Sequence, residues 1–152
     1  MFVLTAKVSK TKIAAIVTLV IALVVAVAVL LASRNDAPSG GGADTNEGRL
    51  AFLRGFGWEV SAEPNQTQSV TVPTKDSEVF SRYNELQKSQ GYDLTPYRGK
   101  TLTRYVYEVL NYPNADQPVY ATLLVSEGTI VGGDITNTAP DGTMHGFRQP
   151  TA

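Results

Sequence analysis

The sequence predicts an α+β fold: one N-terminal transmembrane helix, then a small domain with two helices packed on an antiparallel meander sheet. Three observations support this prediction. Residues 13–32 form an uncharged apolar run, two later segments repeat apolar residues at helical spacing, and three strand-like segments follow one another through short connections. Short connections imply antiparallel hairpins, because parallel strands need long crossovers.

Residues 13–32 are long enough to cross a membrane as one helix. At about 1.5 Å of rise per residue the run spans about 30 Å, the thickness of the hydrocarbon core. Three lysines precede the run and only Arg34 follows it closely, so the positive-inside rule predicts that residues 1–12 form a cytoplasmic tail and that the domain lies outside. The length of the run favours an uncleaved anchor over a signal peptide, whose apolar region is usually about 7–15 residues long.

Composition divides the rest of the chain into a linker and one domain. Residues 33–44 are predicted to be a flexible linker, since their Gly, Ser, Pro and Asp bury little apolar surface. Residues 45–149 suffice for one domain. From Asn35 onward the chain carries nine basic and 14 acidic residues, a balance that disfavours nucleic acid as a partner. The absence of cysteine excludes disulfides, thiolate metal sites and a cysteine nucleophile.

The first helix of the domain is predicted to begin at a Thr45 cap and to end before Gly57. Leu50, Leu53 and Phe56 share one stripe of that helix and would face the core. Two short strands are predicted next, at 58–60 and 69–72, with a proline ending the second.

The second helix is predicted over residues 75–90. Val79, Tyr83, Leu86 and Gln90 recur at helical spacing, with Phe80 beside them, and are expected to form its apolar stripe. A structured turn with aromatic residues and proline follows. Three strands are then predicted at about 101–110, 118–126 and 129–135, and they complete the meander.

Several sequence motifs occur in a fixed order along the domain. They are Arg49-x-x-Phe52-Leu53-x-x-Phe56-Gly57-Trp58-Glu59-Val60, Val70-Thr71-Val72-Pro73, Tyr83-Asn84-Glu85-Leu86-Gln87-Lys88-Ser89-Gln90-Gly91-Tyr92-Asp93-Leu94, Tyr97-Arg98-Gly99-Lys100, Tyr107-Glu108-Val109-Leu110-Asn111-Tyr112-Pro113, Gly132-Gly133-Asp134 and Asp141-Gly142-x-Met144-His145-Gly146-Phe147. This order resembles an uncharacterised family of membrane-anchored proteins from Gram-positive, clostridia-like bacteria, the domain of unknown function 4830. The resemblance implies a bacterial source and an anchored, outward-facing domain. It carries no known activity or site.

The polar segment at the end of the second helix is the first candidate binding surface. Asn84, Gln87 and Gln90 could present side-chain amides to a peptide or glycan, with Tyr92 beside them. The alternative is structural, because Asn and Gln side chains also satisfy backbone groups and would here cap the helix and fix the following turn. We favour the structural interpretation and keep these four residues as a predicted binding surface.

Asp134, Asp141 and His145 are the residues that would suit a metal or acid/base site. Carboxylates with an imidazole bind divalent ions, but the irregular spacing of these three specifies no geometry. A structural His145 that anchors the C-terminal loop by hydrogen bonds is the favoured alternative. The sequence contains neither H-E-x-x-H nor G-x-S-x-G, so we expect no catalytic residue, bound metal or cofactor.

These features favour a non-catalytic binding or regulatory module at the outer face of a bacterial cell membrane. Its expected partners are the membrane, through the anchor, and an envelope protein or wall component. The alternative is a small envelope enzyme with a metal or acid/base site near His145. A third hypothesis is a structural role, in which the transmembrane helix drives assembly and the domain is a spacer.

Overall fold

The computed structural model describes residues 42–151 and the single residue Ala22. The predicted cytoplasmic tail, the rest of the predicted transmembrane helix and most of the predicted linker lie outside the described residues. Over residues 42–151 and at Ala22, no helix has the length and apolar character to cross a membrane. The predictions on anchoring and orientation therefore stay predictions.

The described domain combines two α-helices with one five-stranded sheet. Its elements are α1 (Asn46–Gly55), β1 (Gln66–Thr71), α2 (Glu78–Ser89), a 3-10 turn (Thr95–Tyr97), β2 (Thr101–Val109), β3 (Val119–Ser126), β4 (Thr129–Asn137) and β5 (Met144–His145). The strands lie in the order β1-β2-β3-β4-β5, and every neighbouring pair is antiparallel. The predicted α+β fold, with two helices on an antiparallel meander, is confirmed. Of the strand predicted at 58–60, only Val60 pairs, in an isolated bridge with Val109.

Both helices begin at hydroxyl caps. Thr45 Oγ1 accepts a hydrogen bond from the Gly48 N–H at 3.1 Å, and Ser77 Oγ accepts one from the Phe80 N–H at 3.1 Å. Each cap satisfies a backbone donor that the first turn of a helix leaves unpaired, which is typically worth about 1 kcal/mol. After α1 the chain turns at Gly57, whose φ of +85° is readily adopted only by glycine.

Helix α1 covers one face of the sheet. Side chains alternate between the two faces of a strand, and on this face Tyr107, Ala121 and Ile135 lie on neighbouring strands. They pack with Leu53 and Phe52 of α1 in the larger core cluster of the domain. The predicted inward stripe of α1 is therefore confirmed at Leu53, which is fully buried.

Helix α2 packs on the opposite face, where Phe80 joins Leu102 and Leu124 in a second core cluster. The predicted stripe of α2 is confirmed at Tyr83, which packs against this cluster together with Phe80, and it is wrong at Val79. Val79 is 80% exposed, whereas Asn84 and Gln87 are buried. Asn84 forms hydrogen bonds through both its amide oxygen and its amide nitrogen, which compensates for its loss of water. Gln87 is hydrogen-bonded through its oxygen, whereas its buried Nε2 has no partner among the described residues.

The ordered domain includes residues of the predicted linker. Ala43 is buried, and its N–H donates to the Gly128 carbonyl at 2.9 Å. Arg49 holds it there, because Nη1 donates to the Ala43 carbonyl at 2.8 Å while Nε donates to the Tyr107 hydroxyl at 2.8 Å. The guanidinium also stacks over the Tyr105 ring, 3.7 Å from its centroid.

Candidate functional site

The sheet face that carries α2 is only partly covered by that helix. Beside the helix a cavity of about 300 Å³ opens, and it adjoins a second cavity of about 520 Å³ over the uncovered strands. Four residues line both cavities, so the two form one depression that crosses the sheet. We call it the trough and define it by the residues on its floor, Gln66, Arg104, Thr122, Asp134, Thr136 and Met144.

Strand register brings these residues to the same face. Arg104 on β2 pairs with Leu124 on β3, Thr122 on β3 pairs with Asp134 on β4, and Thr136 on β4 pairs with Met144 on β5. Residues opposite each other in an antiparallel pair, or two apart along a strand, point to the same side. The trough therefore runs across the strands and has a basic residue towards the β1 end and an acidic one towards the β5 end.

Asp134 is the buried anion of the trough. Its residue is only 4% exposed, and its two carboxylate oxygens accept hydrogen bonds from the Tyr83 hydroxyl at 2.8 Å and the Thr136 hydroxyl at 2.7 Å. Burial raises the pKa of Asp134, while these two hydrogen bonds and the positive charge of Arg104 act to lower it.

Tyr83 fixes this carboxylate from helix α2. Burial raises the pKa of the Tyr83 phenol far above its ordinary value, and the nearby Asp134 charge raises it further. The phenol therefore stays protonated and remains a hydrogen-bond donor to the carboxylate across the physiological pH range.

Arg104 is the half-buried cation of the trough. Its Nη1 lies 3.4 Å from Gln66 Oε1. Within residues 42–151, the ion pairs between side chains join Arg82 to Glu78 and Arg98 to Asp76, so no carboxylate lies within 4.0 Å of Arg104. The trough thus holds a cation and a buried anion that influence each other without forming a salt bridge.

The predicted binding residue Asn84 instead fixes a turn. Its Oδ1 accepts from the Leu94 N–H at 2.8 Å, and its Nδ2 donates to Asp93 Oδ1 at 3.0 Å and to Thr95 Oγ1 at 3.2 Å. The hydrogen bond from Asn84, followed by those from Thr95, lowers the pKa of Asp93 to about 2.

Gln87 and Gln90 act as a substitute strand at the edge of the sheet. Gln87 Oε1 accepts from the Gly133 N–H at 2.8 Å, and Gln90 Nε2 donates to the Gly133 carbonyl at 3.0 Å. Gln90 Oε1 also accepts from the Phe147 N–H at 2.8 Å. Together they satisfy both backbone groups of Gly133, where β5 does not reach β4.

The four predicted binding residues therefore do not form one exposed surface. Gln87 is 0% exposed, and Tyr92 is half-buried, with its ring against Phe147 at a centroid distance of 6.3 Å. Burial also raises the pKa of Tyr92. The geometry agrees with the structural interpretation of this segment.

The three predicted metal ligands, Asp134, Asp141 and His145, have different surroundings in the structure. Asp134 lies in the trough and Asp141 is exposed in the turn before β5. His145 Nδ1 lies 2.7 Å from the Gly146 carbonyl and can only donate to it, and Nε2 is hydrogen-bonded to the Tyr112 hydroxyl at 3.1 Å. Over residues 42–151, no three His, Cys, Asp or Glu side chains form a group that could hold a metal ion.

Sequence reasoning missed Arg104 and Tyr83 as neighbours of Asp134. A signal for Arg104 was present, because it alternates with Leu102 and Val106 on a strand face that is otherwise apolar there. No comparable signal marked Tyr83, whose partner is 51 positions away in the sequence.

Comparison with known proteins finds one family model, described as a domain of unknown function (DUF4830), which matches residues 52–135. The match covers more than half of the chain and includes Gln66, Tyr83, Arg104, Thr122 and Asp134. No curated protein matches the chain, and neither does any solved structure.

Proposed function

The chain belongs to the DUF4830 family, a family of unknown function, and from its geometry we propose that it is a non-catalytic binding module whose ligand occupies the trough. We further propose the setting that the sequence favours: a single-pass anchor at residues 13–32, with the domain outside a bacterial cell membrane. The ligand would then belong to an envelope protein or a wall component.

The observation that carries this proposal is the pair of unmatched charges in an open cavity. Asp134 is buried, and no cationic side chain among the described residues forms an ion pair with its carboxylate. Burial of an unpaired charge is unfavourable in free energy. A ligand group that pairs with it would offset that cost. Arg104 and Asp134 lie on strands, and Tyr83 holds the Asp134 carboxylate in place. Binding of a ligand would therefore cost less free energy for ordering these side chains.

The same observation disfavours an enzyme. Among described residues, the trough offers one carboxylate, and both of its oxygens are engaged by the hydroxyls of Tyr83 and Thr136. Neither hydroxyl stands in a recognised catalytic motif of the sequence. His145 is engaged with Tyr112 and Gly146 at hydrogen-bond distance. The alternative enzyme near His145 therefore has no specific geometric feature in its favour.

The proposal is tested by photo-crosslinking in cells. A photoreactive amino acid placed at Met144, which is 50% exposed in the trough, is compared with the same amino acid at Val79, which is 80% exposed on the outer side of α2. We expect an adduct from Met144 that is lost when Arg104→Gln is added, and none from Val79. Equal labelling from both positions, or an adduct indifferent to Arg104→Gln, would overturn the trough as the binding site.

A further inference from the structure

The trough has opposite charges at two fixed points, and this restricts the ligands that fit it. Arg104 and Asp134 lie two strands and two residues apart, which corresponds to about 12 Å between their Cα atoms. The Arg104 side chain contacts Gln66 on the neighbouring strand β1, where Nη1 lies 3.4 Å from Oε1. Thr122, on the strand between Arg104 and Asp134, separates the two charged residues.

A ligand with one charge fits this arrangement poorly. An anion at Arg104 would add negative charge near a buried carboxylate, and a cation at Asp134 would add positive charge near the guanidinium. Like charges brought together away from bulk water are repelled more strongly than at an open surface. A ligand that carries both charges, one at each end, satisfies both sites at once.

Hydrogen-bonding capacity supports the same assignment. Each oxygen of the Asp134 carboxylate accepts one hydrogen bond from the protein, and a carboxylate offers about four acceptor positions. Acceptor capacity therefore remains for an ammonium group. Arg104 has several N–H donors beyond its contact with Gln66, and a guanidinium matches a carboxylate in bidentate geometry.

We propose that the trough binds a short peptide with free termini, its carboxylate at Arg104 and its ammonium group at Asp134. This proposal rests on the proposed function, since it names the ligand class of that site. Two or three extended residues span about 7–11 Å, which is close to the separation of the two Cα atoms. Thr122, on the strand between the two charged residues, lies along this path and offers its hydroxyl to the peptide backbone.

The test uses the full chain in lipid nanodiscs, labelled with ¹³C at the methionine methyl groups. The sequence contains two methionines, Met1 and Met144, and Met144→Leu assigns the trough signal by its disappearance. Trialanine is titrated against N-acetyl-trialanine and trialanine amide. We expect trialanine to shift the Met144 signal saturably and each blocked peptide to bind at least tenfold more weakly.

Two variants connect each terminus to its residue. Arg104→Gln is expected to bind trialanine and its amide equally, and Asp134→Asn is expected to bind trialanine and its N-acetyl form equally. Arg82→Gln is the matched control, because Arg82 lies on the exposed side of α2, and its affinities should not change. If Asp134→Asn does not fold, the Arg104→Gln comparison still decides the assignment of the carboxylate end.

Equal affinity for the blocked and free peptides, or no shift with any of them, would overturn the peptide assignment. If Met144 crosslinks in cells still depend on Arg104 in that case, the binding module stands and its ligand is of another class. If those crosslinks are also absent, the proposed function falls as well.

Discussion

Gly133 gives the sharpest test of how the β4 edge is built, because its surroundings leave no room for a side chain. A Cβ atom there would lie 2.1 Å from the Thr122 carbonyl oxygen and 2.4 Å from Phe147 Cζ. Its φ of +155° is also one that L side chains rarely adopt. Gly133→Ala therefore combines backbone strain of about 1–3 kcal/mol with overpacking of about 1–3 kcal/mol.

A matched substitution separates the two effects. Gly91 has a φ of +89°, and a Cβ atom there would meet nothing within 4 Å. Gly91→Ala should therefore lower the free energy of unfolding by the conformational penalty alone, about 1–2 kcal/mol. Gly133→Ala should lower it by about 2–6 kcal/mol, because the carbonyl it strikes belongs to β3 and cannot move without disturbing the β3–β4 pairing.

Urea unfolding of the full chain in mild detergent measures both changes. The single tryptophan, Trp58, is fully buried and reports the loss of the core by fluorescence. The total stability of a small domain is about 5–15 kcal/mol, so Gly133→Ala removes a large part of it. A Gly133→Ala stability within about 0.5 kcal/mol of Gly91→Ala would refute the packing of β4 against Thr122 and Phe147.

Three further substitutions test the polar contacts around α2. Burial raises the pKa of Asp134 in the folded state, so its contribution to stability is present below the unfolded pKa of about 4 and is lost as the pH rises through the folded pKa. Asp134→Asn should therefore flatten the pH dependence of the urea midpoint between pH 4 and 7. An unchanged pH dependence would contradict this prediction. Tyr83→Phe removes a donor to a buried carboxylate and should cost about 1–3 kcal/mol by urea unfolding, whereas the exposed Arg82→Gln should cost less than about 0.5 kcal/mol. Asn84→Ala should raise the pKa of Asp93 from about 2 towards the ordinary value near 4, as measured by carboxyl ¹³C NMR; a pKa that stays near 2 would show that Thr95 alone holds it.

The fold class followed from local patterns that the structure retains. Thr45 caps its helix as the spacing predicted, and the short connections between β2, β3 and β4 produced the expected hairpins. These features depend on residues that are close in the sequence, so propensity and turn length are enough to predict them.

The orientation of α2 could not be predicted in the same way. Apolar periodicity favours Val79 as an inward residue over Gln87, because Gln is polar and its burial is costly. The structure reverses this, since the Gln87 amide pairs with the Gly133 N–H, 46 positions away. A partner at that distance leaves no trace in a helical pattern. The trough was missed for the same reason, because Arg104 and Asp134 come together only through the strand register.

Helix α2 positions the trough as well as bounding it. Tyr83 holds the Asp134 carboxylate directly, and Gln87 and Gln90 hold Gly133, the residue before it, by both backbone groups. The acidic end of the trough is thus fixed by three side chains of one helix, whereas Arg104 is carried by strand β2 alone. A ligand that bridges Arg104 and Asp134 would therefore connect the sheet to α2. Binding at Asp134 should accordingly be sensitive to substitutions of Gln90, which does not line either cavity, while contacts at Arg104 should not be.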